Sequence, residues 1–165
     1  MSLNKSSAIV NFNLDELPLV DGWCEAEPRV RARFSFPLHV ATGSSTSGLV
    51  YMELEPGDNC GRHWDSAEEV FLVREGEAEL EVGDEHVHLT AGGVAVAPAL
   101  VPHKVANVGQ GTLKILGFFP SGAVVARHDD RIEPLGTTDL VVPAPDDVEP
   151  GPNRERTSSF DPKAR

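Results

Sequence analysis

Short runs in which apolar and polar residues alternate, separated by glycine and proline turns, are the feature of this sequence that most limits its fold. Apolar residues occupy every second position from Val30 to Val40, and the same period of two recurs from Ala78 to Val82. That period is typical of a β-strand with one face in the core and the other in water. Further strands are predicted over residues 49–55, 86–89, 104–108 and 112–119, and in a short run that ends at Pro98. Strands at this spacing, joined by Gly/Pro turns, predict an all-β barrel or sandwich.

The segment from Asp65 to Gly76 allows two interpretations. An acidic start and a glycine stop are typical of a capped helix. Val70, Phe71 and Val73 favour a strand instead, as do the strands predicted on both sides. We therefore predict a strand.

Length, charge and cysteine content narrow the class of protein. A chain of 165 residues fits one domain, and its net charge is −12. The segment from Glu53 to Glu85 contains twelve acidic residues and only two arginines. Its negative potential attracts cations and repels phosphate groups, so neither nucleic acid nor an anionic membrane is expected as a partner. Cys24 and Cys60 show no pairing pattern, and the N-terminus lacks the apolar run of a secretory signal. A cytoplasmic location is therefore expected.

Composition divides the chain into three parts. Residues 1–28 are predicted to be irregular, with a short helical turn near residues 14–17. Residues 29–142 carry the strand patterns and form the predicted barrel. Residues 143–165 are rich in proline and charge, with only Val148 and Phe160 as sizeable apolar side chains. That tail cannot bury enough apolar surface to order itself and is predicted to be disordered.

Two histidines stand out by their setting. If residues 60–65 form a strand, His63 and Asp65 point to one face, and Glu69 comes from the next strand across a tight connection. His103 lies on a distant strand, preceded by Gly92 and Pro98 and followed by Asn107 at fixed offsets. Buried carboxylates are costly unless they are paired or coordinate a cation.

These residues resemble the two motifs of the cupins, and specifically those of the small single-domain members. In the first motif, G(x)5HxH(x)3,4E(x)6G, the matches are Gly57, His63, Glu69 and Gly76, with Asp65 in place of the second histidine. In the second, G(x)5PxG(x)2H(x)3N, the matches are Gly92, Pro98, His103 and Asn107, with Leu100 in place of the inner glycine. Eight of the ten marker positions agree in the expected order.

The resemblance implies a jelly-roll barrel (a double-stranded β-helix) of six to eight strands, commonly dimeric, that holds one divalent metal ion. Its ligands would be His63, Glu69 and His103, while Asp65 is either a fourth ligand or a general base. Two imidazoles and a carboxylate with open positions suit Fe(II) best, and Mn, Zn or Ni remain possible. Asp65 and Glu69 are the candidate catalytic groups. A barrel that has lost its metal is the alternative.

The predicted cavity is apolar. The period of two directs a set of apolar side chains inward, six of which are the candidate substrate pocket: Met52, Leu54, Phe71, Val73, Val105 and Phe119. Val94, Val96 and Ile115 are expected to face the interior as well. No lysine or arginine falls clearly among them, which disfavours sugar phosphates and favours a small phenolic or enolic substrate. We therefore expect an Fe(II)-dependent dioxygenase or oxygenase; a non-redox Mn or Zn lyase, isomerase or cyclase and a non-catalytic ligand-binding barrel are the alternatives.

Four further histidines carry weaker signals. His86 and His88 are predicted to face solvent, His39 lies on the polar face of its strand, and the segment from His128 to Asp130 resembles a turn. Leu100 is expected to resist the left-handed conformation that glycine would allow at its position.

Overall fold

The computed structural model describes residues 9–144, and in these residues the chain forms two six-stranded antiparallel sheets. One sheet has the order β1-β2-β3-β10-β5-β8 and the other the order β12-β11-β4-β9-β6-β7. The strands are β1 (Val20–Trp23), β2 (Arg31–Leu38), β3 (Gly48–Leu54), β4 (His63–Asp65), β5 (Glu69–Glu75), β6 (Glu77–Val82), β7 (Glu85–Thr90), β8 (Val94–Ala97), β9 (His103–Asn107), β10 (Leu113–Phe119), β11 (Val124–Ile132) and β12 (Thr137–Val142). The predicted all-β jelly-roll fold is confirmed.

The core lies between the two sheets and is built from the inward positions of alternating strands. In β5, Phe71 and Val73 are buried while Leu72 is only half-buried, and in β6 the apolar Ala78 and Leu80 face inward between outward glutamates. The segment that could have been a helix is therefore strand β5, as predicted. Its valines and phenylalanine favour a strand, and its pairing with β8 and β10 provides hydrogen-bond partners for its backbone N–H and C=O groups.

The N-terminal segment is more ordered than the sequence suggested. A 3-10 turn at Leu14–Glu16 confirms the expected helical turn, but β1 contradicts the expectation that residues 1–28 are irregular. β1 has no alternating apolar pattern of its own; it forms because its backbone pairs with β2 along its whole length. Leu14 and Leu17 pack on the outer face of the first sheet, against Tyr51.

Strand β8 faces the opposite way from the prediction. Val94 and Val96 are 57% and 47% exposed, whereas Ala97 is fully buried. The strand reads Val-Ala-Val-Ala, so either face is apolar and the alternation does not decide between them. The smaller residues turn inward, where Ala95 packs against the core beside Phe71, its register partner.

The described chain has twelve strands, more than the six to eight that the resemblance implied. Three of them lie at sheet edges: β1 in one sheet and the β11–β12 pair in the other. β12 ends at Val142, the predicted end of the barrel, and the disorder predicted for the tail falls almost wholly on residues 145–165, outside the described part. Across residues 9–144, no helix has the length and apolar character that a membrane span would need.

Candidate metal centre

Four side chains, from three strands of the two facing sheets, meet at one point inside the barrel. His63 and Asp65 come from β4, Glu69 begins β5 and His103 begins β9, where it is the register partner of His63. One potential ligand atom from each of the four lies within 4.8 Å of all the others, and all four residues are buried. The structure thus brings together all four residues that were predicted as candidate ligands from the sequence and the family resemblance.

Both imidazole rings are held in the orientation of metal ligands. His63 Nδ1 donates to the carbonyl of Gly61, and His103 Nδ1 donates to the carbonyl of Val101, each at 2.9 Å. A ring whose Nδ1 carries the donated proton presents the lone pair of Nε2 on its other side. In both residues this Nε2 is the atom that lies near the carboxylates.

The loop that leads into β9 depends on an unusual backbone conformation at Leu100. Its φ of 65° makes it the one described non-glycine residue in the left-handed region, so leucine adopts the conformation that it was expected to resist. The Leu100 amide donates to the carbonyl of Asp65 at 2.9 Å and ties this loop to β4. The leucine side chain is 62% exposed, so only the backbone strain of about 1–2 kcal/mol opposes this turn.

Burial and mutual contact shift the ionisation of the four groups in different directions. Burial lowers the pKa of His63 to about 4, so this ring is neutral. Burial also raises the pKa of Glu69 to about 8. For His103, burial opposes protonation, but the Asp65 and Glu69 carboxylates outweigh it and raise its pKa to about 10. For Asp65, burial acts to raise the pKa, as it does for Glu69. The adjacent His103 outweighs this effect, so the pKa of Asp65 is lowered.

The donor set fits a divalent cation. Asp65 Oδ2 and His103 Nε2 are both buried and lie 3.1 Å apart, and neither atom has a hydrogen-bond partner within residues 9–144. Glu69 Oε2 lies 3.4 Å from the same nitrogen. Buried polar atoms are normally paired. In the metal-free protein a proton on His103 Nε2 balances the charge of Asp65, and a divalent cation bound between these atoms would take the place of that proton. Two imidazoles and two carboxylates suit Fe(II), Mn(II) or Zn(II).

A cavity of about 680 Å³, including its open mouth, leads to the cluster. His63, Asp65 and Glu69 lie on its wall, and the rest of the lining is mainly apolar, with Phe34, Phe36, Val50, Met52, Phe119, Ile132, Leu135 and Leu140. Arg31 borders the cavity, but it alternates with the inward-facing Ala32 on β2, so its side chain points outward. Within residues 9–144, the cavity wall thus carries no basic side chain apart from histidine.

The predicted pocket residues divide into two groups. Met52 and Phe119 line the cavity. Leu54, Phe71, Val73 and Val105 do not; they are fully buried core residues, and the cavity lies between the sheets on the side of β2, β11 and β12. The prediction missed this because the barrel interior is filled by side chains over much of its volume, and strand alternation says nothing about which part stays open.

His128 is the site residue that the sequence analysis missed. It lies in β11, in register with His63, and not in the predicted turn. Its ring stacks on the His63 ring with centroids 4.6 Å apart, and it lines the cavity. Burial lowers its pKa. Val124 and Ala126 precede it at even spacing on the same face, which is the signal that could have placed it inward.

His39, His86 and His88 lie away from the cluster, and Cys60 lies beside the cavity with an unreactive thiol. His86 and His88 are exposed on β7, near Glu79 and Glu77, and His39 caps a short 3-10 turn at Val40–Thr42. Cys60 borders the cavity, but its thiol accepts from the amide of Val105, and burial raises its pKa to about 12.

Comparison with known proteins agrees with the motifs. The family model described as a cupin domain matches residues 50–119, which contain both motifs and all four clustered residues. The chain therefore contains a cupin domain over residues 50–119. No curated protein sequence matches the chain.

Solved structures share the cupin fold at low sequence identity. An oxalate decarboxylase from Lactobacillus farciminis in a formate complex is similar with a TM-score of 0.58 and 19% identity, over 79% of this chain but only 35% of the other. The Cnp3 cupin domain of Schizosaccharomyces pombe gives a TM-score of 0.56 at 13% identity, over 69% and 75% of the two chains. The Bacillus subtilis oxalate decarboxylase, with Mn(II) centres, gives 0.51 at 23% identity, over 58% and 27%. The chain thus spans about a third of the length of the decarboxylase chains that it matches.

Proposed function

We propose that this protein is a mononuclear metal-dependent enzyme whose ion is held by His63, Glu69 and His103, with Asp65 as a fourth ligand or as the general base beside the ion. The observation that carries the proposal is the buried convergence of these four side chains, with Asp65 Oδ2 and His103 Nε2 left without partners. The family resemblance adds support, since three of the four occupy its ligand positions.

Fe(II) is the ion that we favour, and Mn(II) is the next candidate. Two imidazoles with carboxylates and open positions are typical of non-haem Fe(II) sites. A bound Fe(II) would supply electrons for O₂ chemistry and polarise the oxygens of a chelating substrate. Mn(II) gains support from the Bacillus subtilis oxalate decarboxylase, a fold relative with Mn(II) centres.

The reaction that we propose is the oxygenation or oxidative cleavage of a small phenolic or enolic molecule. The apolar walls exclude water and fit such a molecule, while the polar groups lie together at one part of the cavity. A phosphorylated substrate would need basic partners, and no lysine or arginine side chain of the described part of the chain faces this cavity. Asp65, ionised and lying on this wall, is placed to accept the proton of a substrate hydroxyl.

Metal analysis and oxygen consumption test the proposal together. Stoichiometric iron in the purified protein, together with O₂ uptake on addition of catechols or enols, would support it. Stoichiometric Mn or Zn with turnover in the absence of O₂ would favour the non-redox lyase, isomerase or cyclase, and absence of metal would favour a non-catalytic ligand-binding barrel. His63→Ala should lose the metal, and full metal content in that variant would refute both enzymatic functions.

A substitution at Asp65 separates its two possible roles. Asp65→His restores the histidine of the family motif and should keep the metal in either case. If Asp65 is only a ligand, turnover persists in this variant; if Asp65 is the base, turnover collapses while the metal content stays unchanged. We adopt the second outcome as our expectation, because Asp65 is ionised and lies on the cavity wall, where a substrate hydroxyl would reach it.

We also propose that the protein is a homodimer located in the cytoplasm. The outer face of the first sheet carries an exposed apolar patch of Val94, Val96 and Phe118, which a second copy would cover. Both cysteines are free and buried, in keeping with a reducing compartment. Light scattering on the full chain, with Val96→Glu as the disrupting variant, tests the dimer.

A further inference from the structure

The inward face of strand β10 has a gap at Gly117. The flanking residues on that face, Ile115 and Phe119, are both buried core side chains. Gly117 does not have a positive φ, so its backbone conformation is open to any residue. Glycine inside a strand costs stability because it has no side chain to pack, and it often marks a close approach of another group. Its presence here therefore needs an explanation other than backbone geometry.

The carboxylate of Glu69 fills this gap. A Cβ on Gly117 would overlap Glu69 Oε1 and would lie 2.8 Å from Glu69 Cδ and from Val50 Cγ1. Even alanine at position 117 would thus displace the carboxylate. Glu69 is 2% exposed, and its other oxygen lies 3.4 Å from His103 Nε2, so a displaced carboxylate leaves the cluster.

We propose that Gly117 is a positioning residue of the metal centre, whose lack of a side chain lets Glu69 reach the ion. Gly117 acts through Glu69 and touches neither ion nor substrate. The role of the ion rests on the proposed function, whereas the contact between Gly117 and Glu69 does not.

Titration of metal-free full-length protein with Mn²⁺ tests the effect on the metal site. Gly117→Ala should weaken Mn²⁺ binding by about 10- to 100-fold, the usual effect of disturbing the support of a ligand. Gly22→Ala is the matched control, because Gly22 is also a buried strand glycine at the cavity, and a Cβ there would lie 2.8 Å from the Phe34 ring and not against a ligand. This control should bind Mn²⁺ within about twofold of wild type. Wild-type affinity in Gly117→Ala would overturn the inference.

Urea unfolding of the metal-free proteins tests the contact itself. Gly117→Ala should lower the unfolding midpoint in the wild-type background and lower it much less in a Glu69→Ala background, where only the Val50 contact remains. Equal shifts in both backgrounds would overturn the inference. If the wild type binds neither Mn²⁺ nor Fe²⁺, the proposed metal function fails, and this cycle still decides whether Gly117 makes room for the Glu69 carboxylate.

Discussion

Metal binding to this site should release protons, so the affinity should rise steeply with pH. In the metal-free protein, His103 has a pKa of about 10 and Glu69 a pKa of about 8, so both are mainly protonated at pH 6 to 7. His63, with a pKa of about 4, is already neutral, and Asp65 is already ionised. A ligand must lose its proton to bind a cation, so one ion displaces two protons in this range.

The magnitude follows from that proton count. Each proton released changes the apparent affinity about tenfold per pH unit, so Mn²⁺ affinity should rise about 100-fold from pH 6 to pH 7. Above pH 8, where Glu69 is ionised and only His103 still has to release its proton, the slope should fall to about tenfold per unit. Calorimetric titration in buffers of different ionisation enthalpy counts the protons directly.

Two glutamate variants make this prediction specific. Glu69→Gln removes one titrating group and should reduce the slope between pH 6 and 7 from about 100-fold to about tenfold per unit. Glu79→Gln removes the same charge from an exposed position on β6 and should leave the slope unchanged. Affinity that is independent of pH, or a Glu69→Gln slope equal to that of the wild type, would refute the account of the site's ionisation.

Three further predictions concern the structure around the site. Leu100→Gly should raise the free energy of unfolding by about 1 kcal/mol with unchanged metal content, because it relieves the left-handed strain; a loss of stability in urea would contradict this. Asn107→Ala should cost about 3 kcal/mol, since the buried amide donates to the carbonyls of Leu54 and Gly111 and accepts from the Gly109 amide; a loss below about 1 kcal/mol in urea would show that these bonds are dispensable. Cys60 should react with a thiol reagent at pH 8 only after unfolding, because burial raises its pKa to about 12; rapid labelling of the native protein would contradict its buried position.

The sequence predicted the parts of the fold in which two independent signals agree. In β6, alternation separates glutamates from Ala78 and Leu80, so only one face can enter the core. In β8, every residue is apolar, so alternation does not distinguish the two faces. Ala95 and Ala97 face the interior because they pack against the core beside the neighbouring strand. β1 lacks an alternating apolar pattern, and it forms because its backbone hydrogen-bonds to the edge of β2.

The site residues likewise divide into those that local sequence motifs reveal and those that only strand pairing brings to the site. His63, Asp65, Glu69 and His103 could be found because they are close to one another in two motifs of fixed spacing. His128 and Gly117 could not be found in that way. Both lie far along the chain from the residues that they contact, and only the register of β11 with β4 and of β10 with β5 brings them to His63 and Glu69.

Anomalous diffraction from crystals loaded with Mn²⁺ tests most directly whether these four side chains hold one ion. We expect a single strong peak within bonding distance of the Nε2 atoms of His63 and His103 and of the Glu69 carboxylate, with Asp65 bound or directly adjacent. A pocket without a peak in loaded crystals, or a peak whose ligands lie elsewhere on the chain, would contradict the account.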